Sequence, residues 1–347
     1  MTSSGMKTYN HNNSCLLSGH HLILILLISL TFGLAACNKT ETATGPREKM
    51  TIAYWTGPSA ALVQIAFAKN YFTEEGLEAT PQPHPFGKIA LGAVLDGNAD
   101  IATVADTPIV LAVTGGKPIY VLAVIQTANR NEAIIASRDR GIARPSDLKG
   151  KRIGVTSGTN SDFFAYSFLT ANGIDLSQVK VIDLRPDEML YALSKGKVDA
   201  VSTWNPNLQL IRKTLGSRVT IFYNEAVYTE TFCLAAKQDF VKAHPEAIKK
   251  VLRALVRAES FVNKEQDESR RIVSESSKID KALLDETWSA YSFKVALNQS
   301  LLVTLEDTTR WALMRKLAIG KGVPNYLDFI YLTGLQAVRP EAVSIIR

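Results

Sequence analysis

Four short stretches hold the residue types that could grip a small molecule: Trp55-Thr56-Gly57, Asp106-Thr107, Thr156-Ser157-Gly158-Thr159-Asn160 and Trp204-Asn205. Each falls at the carboxyl end of an expected strand, where open parallel sheets gather loops and helix starts around a ligand. In the third stretch, hydroxyl and amide residues precede an apolar helix, whose first N–H groups lack intrahelical partners. That arrangement seats an oxyanion or another polar group. Thr159 or Ser161 would equally serve as the helix N-cap. Asp106 is the one acid in the two first-half stretches, open to two roles: accepting from an ammonium or amide, or capping the helix that starts at Thr107 or Pro108. Trp55, Phe86 and Trp204 lie at or near strand ends and are candidate walls of an apolar slot, although tryptophan is also a common core residue.

Catalytic patterns are missing from the spacing. Beyond residue 36 the chain has two histidines, His84 and His244, and neither has a partner at metal-ligand separation. There is no Gly-x-Ser-x-Gly elbow, no phosphate-binding loop with lysine and no Cys-x-x-Cys. No catalytic residue, metal or cofactor is therefore expected. The formal net charge is +6 over 347 residues, with no Lys/Arg tract longer than short groups such as the one at 149–152, so nucleic acid is not an expected partner.

The N-terminus says where the protein works. The apolar run over 22–32 is too short to span a bilayer, which needs roughly 20 residues, and has the length of a signal-peptide core. Leu34-Ala35-Ala36-Cys37 follows it and resembles the bacterial lipobox, in which the cysteine becomes the lipidated first residue. Residues 1–36 are then a signal peptide, with Met6 an alternative start, and 37–49 a polar tether. Cys15 leaves with the signal and Cys37 is acylated. Cys233 remains alone in an apolar stretch, where it reads as a packed core residue, and no disulfide framework is possible.

From residue 50 strands and helices alternate. Strands are expected over 51–55, 77–81, 101–105 and 120–125, with helices over 58–71, 88–95 and 107–113 between them. The pattern restarts with strands over 152–155, 179–184, 198–203 and 219–223 and helices over 161–171, 186–194 and 207–215. Such alternation predicts a mainly parallel sheet covered on both faces. The halves superpose in sequence. Ile52 to Pro58 matches Ile153 to Thr159 with Gly57 and Gly158 in register, and Gly97-x-x-Asp100 matches Gly196-x-x-Asp199. A duplicated lobe is the expected result, with Asp100 and Asp199 as turn residues that start a strand. Beyond residue 237, amphipathic helices over 245–264, 267–277, 281–291 and 299–317 are expected to cover sheet faces.

These residues together resemble a known family. Trp55 to Pro58, Ala68-Lys69-Asn70-Tyr71-Phe72 with Glu75-Gly76-Leu77, Asp106-Thr107-Pro108, Ser146 to Gly154, Ser157-Gly158-Thr159, Gly196 to Ala200 and Trp204-Asn205-Pro206 occur in the order and spacing seen in solute-binding proteins of ABC importers for aliphatic sulfonates, taurine, nitrate and thiamine-pyrimidine precursors. The likeness runs over about residues 50–260. It implies a type II periplasmic-binding fold: two α/β lobes joined by two crossing strands and closing on a ligand. The chain would leave the first lobe near 137–141 and return near 225–231. That gives a first lobe over 50–138, a second over 139–225, and a return to the first lobe over 226–347 that includes the C-terminal helices.

The resemblance implies a monomeric, lipid-anchored, extracytoplasmic protein that delivers its ligand to an ABC permease and ATPase. By position it puts Trp55, Asp106, Ser157, Gly158, Thr159 and Trp204 on loops lining the cleft. Some members have Asp where this chain has Asn205, and relatives often have a smaller or amide residue at Trp55. Both departures leave the ligand class open among pyrimidines, sulfonates and aromatic carboxylates. Two other readings are a pyrimidine-forming enzyme on the same fold and an extracytoplasmic sensory protein.

Overall fold

The computed structural model describes residues 47–320 and 322–346, so Cys37, the signal segment and most of the tether lie outside the described residues. Eleven strands among them form two sheets. In the first lobe, β1 (Glu48–Trp55), β2 (Leu77–His84), β3 (Ile101–Ala105), β4 (Ile119–Ala128), β10 (Glu230–Lys237) and β11 (Ser292–Ala296) lie in the order β11-β4-β10-β3-β1-β2. In the second, β5 (Glu132–Ser137), β6 (Arg152–Val155), β7 (Lys180–Asp183), β8 (Ala200–Trp204) and β9 (Val219–Phe222) lie in the order β7-β6-β8-β5-β9. Strands β3 and β8 are buried at every residue, as continuous apolar or small-residue strands covered on both faces must be. Pro81 and Pro83 fall on β2, at the sheet edge, where a missing N–H breaks no ladder.

The sheets are mixed rather than mainly parallel, and the reason is the crossings. After β4 the chain passes through Asn129-Arg130-Asn131 into β5, and after β9 it returns through residues 223–229 into β10. Each arriving strand inserts antiparallel between the third and fourth strands of its new sheet: β5 between β8 and β9, β10 between β3 and β4. The outgoing crossing thus precedes the expected 137–141. The apolar run Ala133-Ile134-Ile135-Ala136 is a core strand of the second sheet, and the polar triplet before it is the break.

The two lobes repeat each other in detail. In both sheets the order runs second, first, third, crossing and fourth strand. The Asp100 carboxylate accepts from the Thr51 N–H at 2.7 Å, and Asp199 accepts from the Arg152 N–H at 2.9 Å, one residue before the matched Ile52 and Ile153. Gly97 and Gly196 both adopt left-handed φ values, +78° and +64°, which let the preceding helix turn sharply into that strand.

The C-terminal helices complete the first lobe. Pro245–Lys264 buries Ile248, Val251, Leu252 and Leu255 and packs on Ala61–Ala68 and Leu332–Val338. Gln299–Met314 packs on Asp106–Thr114. The helix expected over 281–291 ends at Thr287, and after a short 3-10 turn β11 pairs with β4. In Ser292-Phe293-Lys294-Val295 burial alternates residue by residue, the strand period, which a helical window overlooks.

Candidate functional site

The ends of β1, β3 and β8 meet at the junction of the lobes, and there Trp55 from the first lobe faces Trp204 from the second. Their ring centroids are 6.4 Å apart with the planes at 90°. Phe232, on β10, lies 5.8 Å from Trp55. These rings, with Phe86, Gly87, Lys88, Ala105, Pro108, Thr159, Asn160 and Glu230, line a cavity of about 20 Å³ between the lobes. That is little more than room for one water, so a larger molecule enters only if the lobes part. Gly57 makes the slot possible. A Cβ there would fall 2.0 Å from Trp55 Cζ2, so only glycine lets the indole lie across the turn.

Directly behind the rings is a buried polar cluster built from both crossings. Glu132 opens β5 beside Trp204, its partner in register, and Glu230 opens β10. Both are buried, at 3% and 1% exposure. Asn131 donates from Nδ2 to Glu132 Oε1 at 3.2 Å and to Glu230 Oε2 at 3.0 Å. Asn160 Nδ2 donates to Glu230 Oε1 at 3.2 Å and also to Glu132 Oε1. Ser59 Oγ donates to Glu230 Oε2, and Tyr291 OH donates to Asn131 Oδ1. Burial first, and the charge of Glu230 second, push the Glu132 carboxyl well above its ordinary range. Burial and the charge of Asp106 push Glu230 up likewise.

The structure separates the expected site residues. Trp55, Phe86, Thr159, Asn160 and Trp204 wall the cavity. Thr56 is a turn residue at its edge: its N–H donates to the His84 carbonyl at 3.2 Å. Asp106 and Thr107 are fully buried and off the cavity wall. Asp106 accepts from Tyr228 OH at 2.8 Å, Thr231 N at 3.0 Å and Thr107 Oγ1 at 3.0 Å, and so ties the return crossing to the first lobe. Burial still wins over these donors, and its carboxyl is raised to about 6.

The expected oxyanion seat already has occupants. The Ser157 N–H donates to Asp183 Oδ1 at 2.9 Å, the Gly158 N–H to Asp162 Oδ2 at 3.1 Å and the Thr156 N–H to Ser161 Oγ at 3.1 Å. Thr159 does not cap its helix either, because its hydroxyl donates to the Thr156 carbonyl at 2.7 Å. Asn205 instead borders a larger, open cavity of about 690 Å³ along the two crossings, with Arg130, Arg212, Tyr223, Glu225 and Glu286. The charges there are paired: Arg130 with Glu225 at 2.6 Å, and Arg212 and Lys213 with Glu286 at 2.7 and 2.9 Å.

Glu132, Glu230, Asn131 and Ser59 were not singled out by the sequence, since each reads as an isolated polar residue at an element's start. The available signal was an acid heading a largely apolar strand, as in Glu132-Ala133-Ile134-Ile135 and Glu230-Thr231-Phe232-Cys233. Among the described residues no group of three or more His, Cys, Asp or Glu is arranged to hold a metal, and no helix is long and apolar enough to cross a membrane.

Two α/β lobes joined by two crossings around an aromatic cleft define the periplasmic-binding-protein fold. The periplasmic aliphatic sulphonate binding protein of Escherichia coli superposes with a TM-score of 0.71 at 17% identity, over 81% of this chain and 97% of that one. In sequence, a putative binding protein of Brucella abortus (strain 2308) is 28% identical over 235 residues, 67% of this chain and 71% of its own. A putative aliphatic sulfonates-binding protein of Bacillus subtilis (strain 168) is 24% identical over 267 residues, 76% of this chain and 80% of its own. The family model described as NMT1/THI5 like matches residues 58–269, more than half of the chain, and the chain belongs to that family.

Proposed function

We propose that this protein is the solute-binding component of an ABC importer, anchored outside the cytoplasm through a lipid on Cys37 and delivering its ligand to a permease without chemical change. Trp55 and Trp204, one from each lobe, close on the ligand as the crossings bend. No catalytic group is assigned, and the protein acts as a monomer.

The observation that carries the ligand reading is the buried acid pair behind the rings, with Glu230 on the cavity wall and Glu132 paired in register with Trp204. Glu230 puts a carboxyl on the cavity wall, while Lys88, the cation there, donates to the Ser157 carbonyl. A flat nitrogen base, pyrimidine-like, fits both the rings and the carboxylates, since it presents N–H donors at its edge and a π-face above and below. An alkanesulfonate is the second reading. It is supported by the similarity to the aliphatic sulfonates-binding protein of Bacillus subtilis and by Lys88, the one cation on the cavity wall.

A thermal-shift screen against pyrimidines, amidines, alkanesulfonates, taurine, nitrate, amino acids and aromatic acids tests this. A ligand bound only by the folded chain raises stability by roughly 2.7 kcal/mol at a hundredfold excess over Kd. Shifts from nitrogen bases support the first reading, and shifts from sulfonates alone replace it with the second.

A further inference from the structure

Glu132 and Glu230 come from opposite crossings, and their described hydrogen-bond partners are all neutral: Asn131, Asn160 and Ser59. The titratable groups that face the pair are Asp106 after β3, Tyr228 on the return crossing, Cys233 on β10 and Tyr291 before β11. None of these is a cation. Lys88 lines the same cavity but donates its ammonium to the Ser157 carbonyl at 2.8 Å. Two ionised carboxylates sharing neutral donors in so dry a site repel each other with no cation to offset the cost, and one retained proton removes most of it. The site also has a spare polar group: neither the amide oxygen nor the amide nitrogen of Gln126, wholly buried on β4 beside Glu230, has a partner among the described residues.

We infer that Glu132 and Glu230 act as a single acid that exchanges its proton for the positive charge of the ligand, so that the cleft selects a protonated nitrogen base over a neutral or anionic molecule of the same shape. This rests on the nitrogen-base reading of the cleft. The balance is simple: the shared proton leaves to solvent, the base keeps its own, and two carboxylates then face one cation and its N–H donors. Glu132 and Glu230 are thereby specificity-determining residues: the indole faces also favour a cation, but only the acid pair can give up a proton in exchange for it.

Calorimetry of benzamidinium binding to the full chain, in two buffers of different ionisation enthalpy at pH 7, counts the protons released per ligand. The expected result is release of up to one proton by the wild type and none by Glu132→Gln/Glu230→Gln. The preference for benzamidinium over benzamide should fall about tenfold or more in that variant. Binding of benzamidinium with no proton exchange overturns the inference and leaves the nitrogen-base reading standing. Binding of benzenesulfonate with none of benzamidinium overturns that reading first. Infrared spectroscopy at pH 7 needs no ligand. The wild type should show the C=O stretch of a neutral carboxylic acid, lost in the double variant or, should that not fold, reduced in Glu230→Gln. A wild-type spectrum without that band overturns the inference outright.

Discussion

Trp55 and Trp204 meet edge to face at 6.4 Å, one at the end of the first strand of its lobe and the other at the end of the third strand of the opposite lobe. The contact joins the lobes at the point where both chain crossings also converge. Replacing Trp204 with alanine should weaken binding of the best ligand from the screen by more than about tenfold, ~1.4 kcal/mol, because it removes one wall and its ring–ring contact. Calorimetry checks this. An unchanged affinity would give Trp204 a packing role alone.

Gly57→Ala should act through Trp55. The new Cβ would overlap the indole, which must rotate out of the slot, and overpacking of this kind costs about 1–3 kcal/mol. Ligand affinity should fall together with the melting temperature, read by calorimetry and circular dichroism on the same sample. A variant that binds normally would show that the observed Trp55 rotamer is not needed.

The buried acids set a pH dependence of definite sign. Asp106 is raised to about 6 and Glu230 to about 8 in the folded chain, both above their ordinary values of 3.8 and 4.5. Their contribution to stability is complete below those ordinary values and is lost as pH rises through the folded ones. The melting temperature should therefore fall between about pH 4 and pH 8, and Glu230→Gln should flatten that slope. A wild-type melting temperature that rises across this range would contradict the assignment.

Asp199 works in the opposite direction. The Arg152 guanidinium and N–H hold its carboxyl below the usual range, so its contribution is present above pH 3.8 and lost as pH falls through the folded value. Asp199→Ala should cost about 1–3 kcal/mol in urea unfolding at pH 7. Asp100→Ala should cost less, as Asp100 holds only the Thr51 N–H. Equal losses would mean that the guanidinium contacts add nothing.

Cys37→Ser should move the protein from the membrane fraction to the soluble one. Retention of the variant with membranes would contradict lipid anchoring.

What the sequence made legible is local and periodic. Strands of apolar and small residues, β3 and β8, and the repeat around Asp100 and Asp199 are set by near neighbours, so the duplicated lobe could be read directly. The strands that cross between lobes could not. Glu132 and Glu230 acquire their character from burial 98 positions apart in the chain, and only the antiparallel insertion of β5 and β10 brings them together. The hydroxyl-rich turn at 156–161 misled for a partly related reason: its donors were visible in sequence, but Asp183, 26 residues on, reaches it only through the fold, and the adjacent Asp162 turns back onto the Gly158 N–H.

The most direct test of the central claim is a crystal structure of the protein with the tightest nitrogen base from the screen. The account predicts the ring between Trp55 and Trp204 with its N–H groups on Glu132 and Glu230. Density for the ligand in the larger cavity beside Arg130, Arg212 and Tyr223, with the tryptophans still in contact, would contradict it.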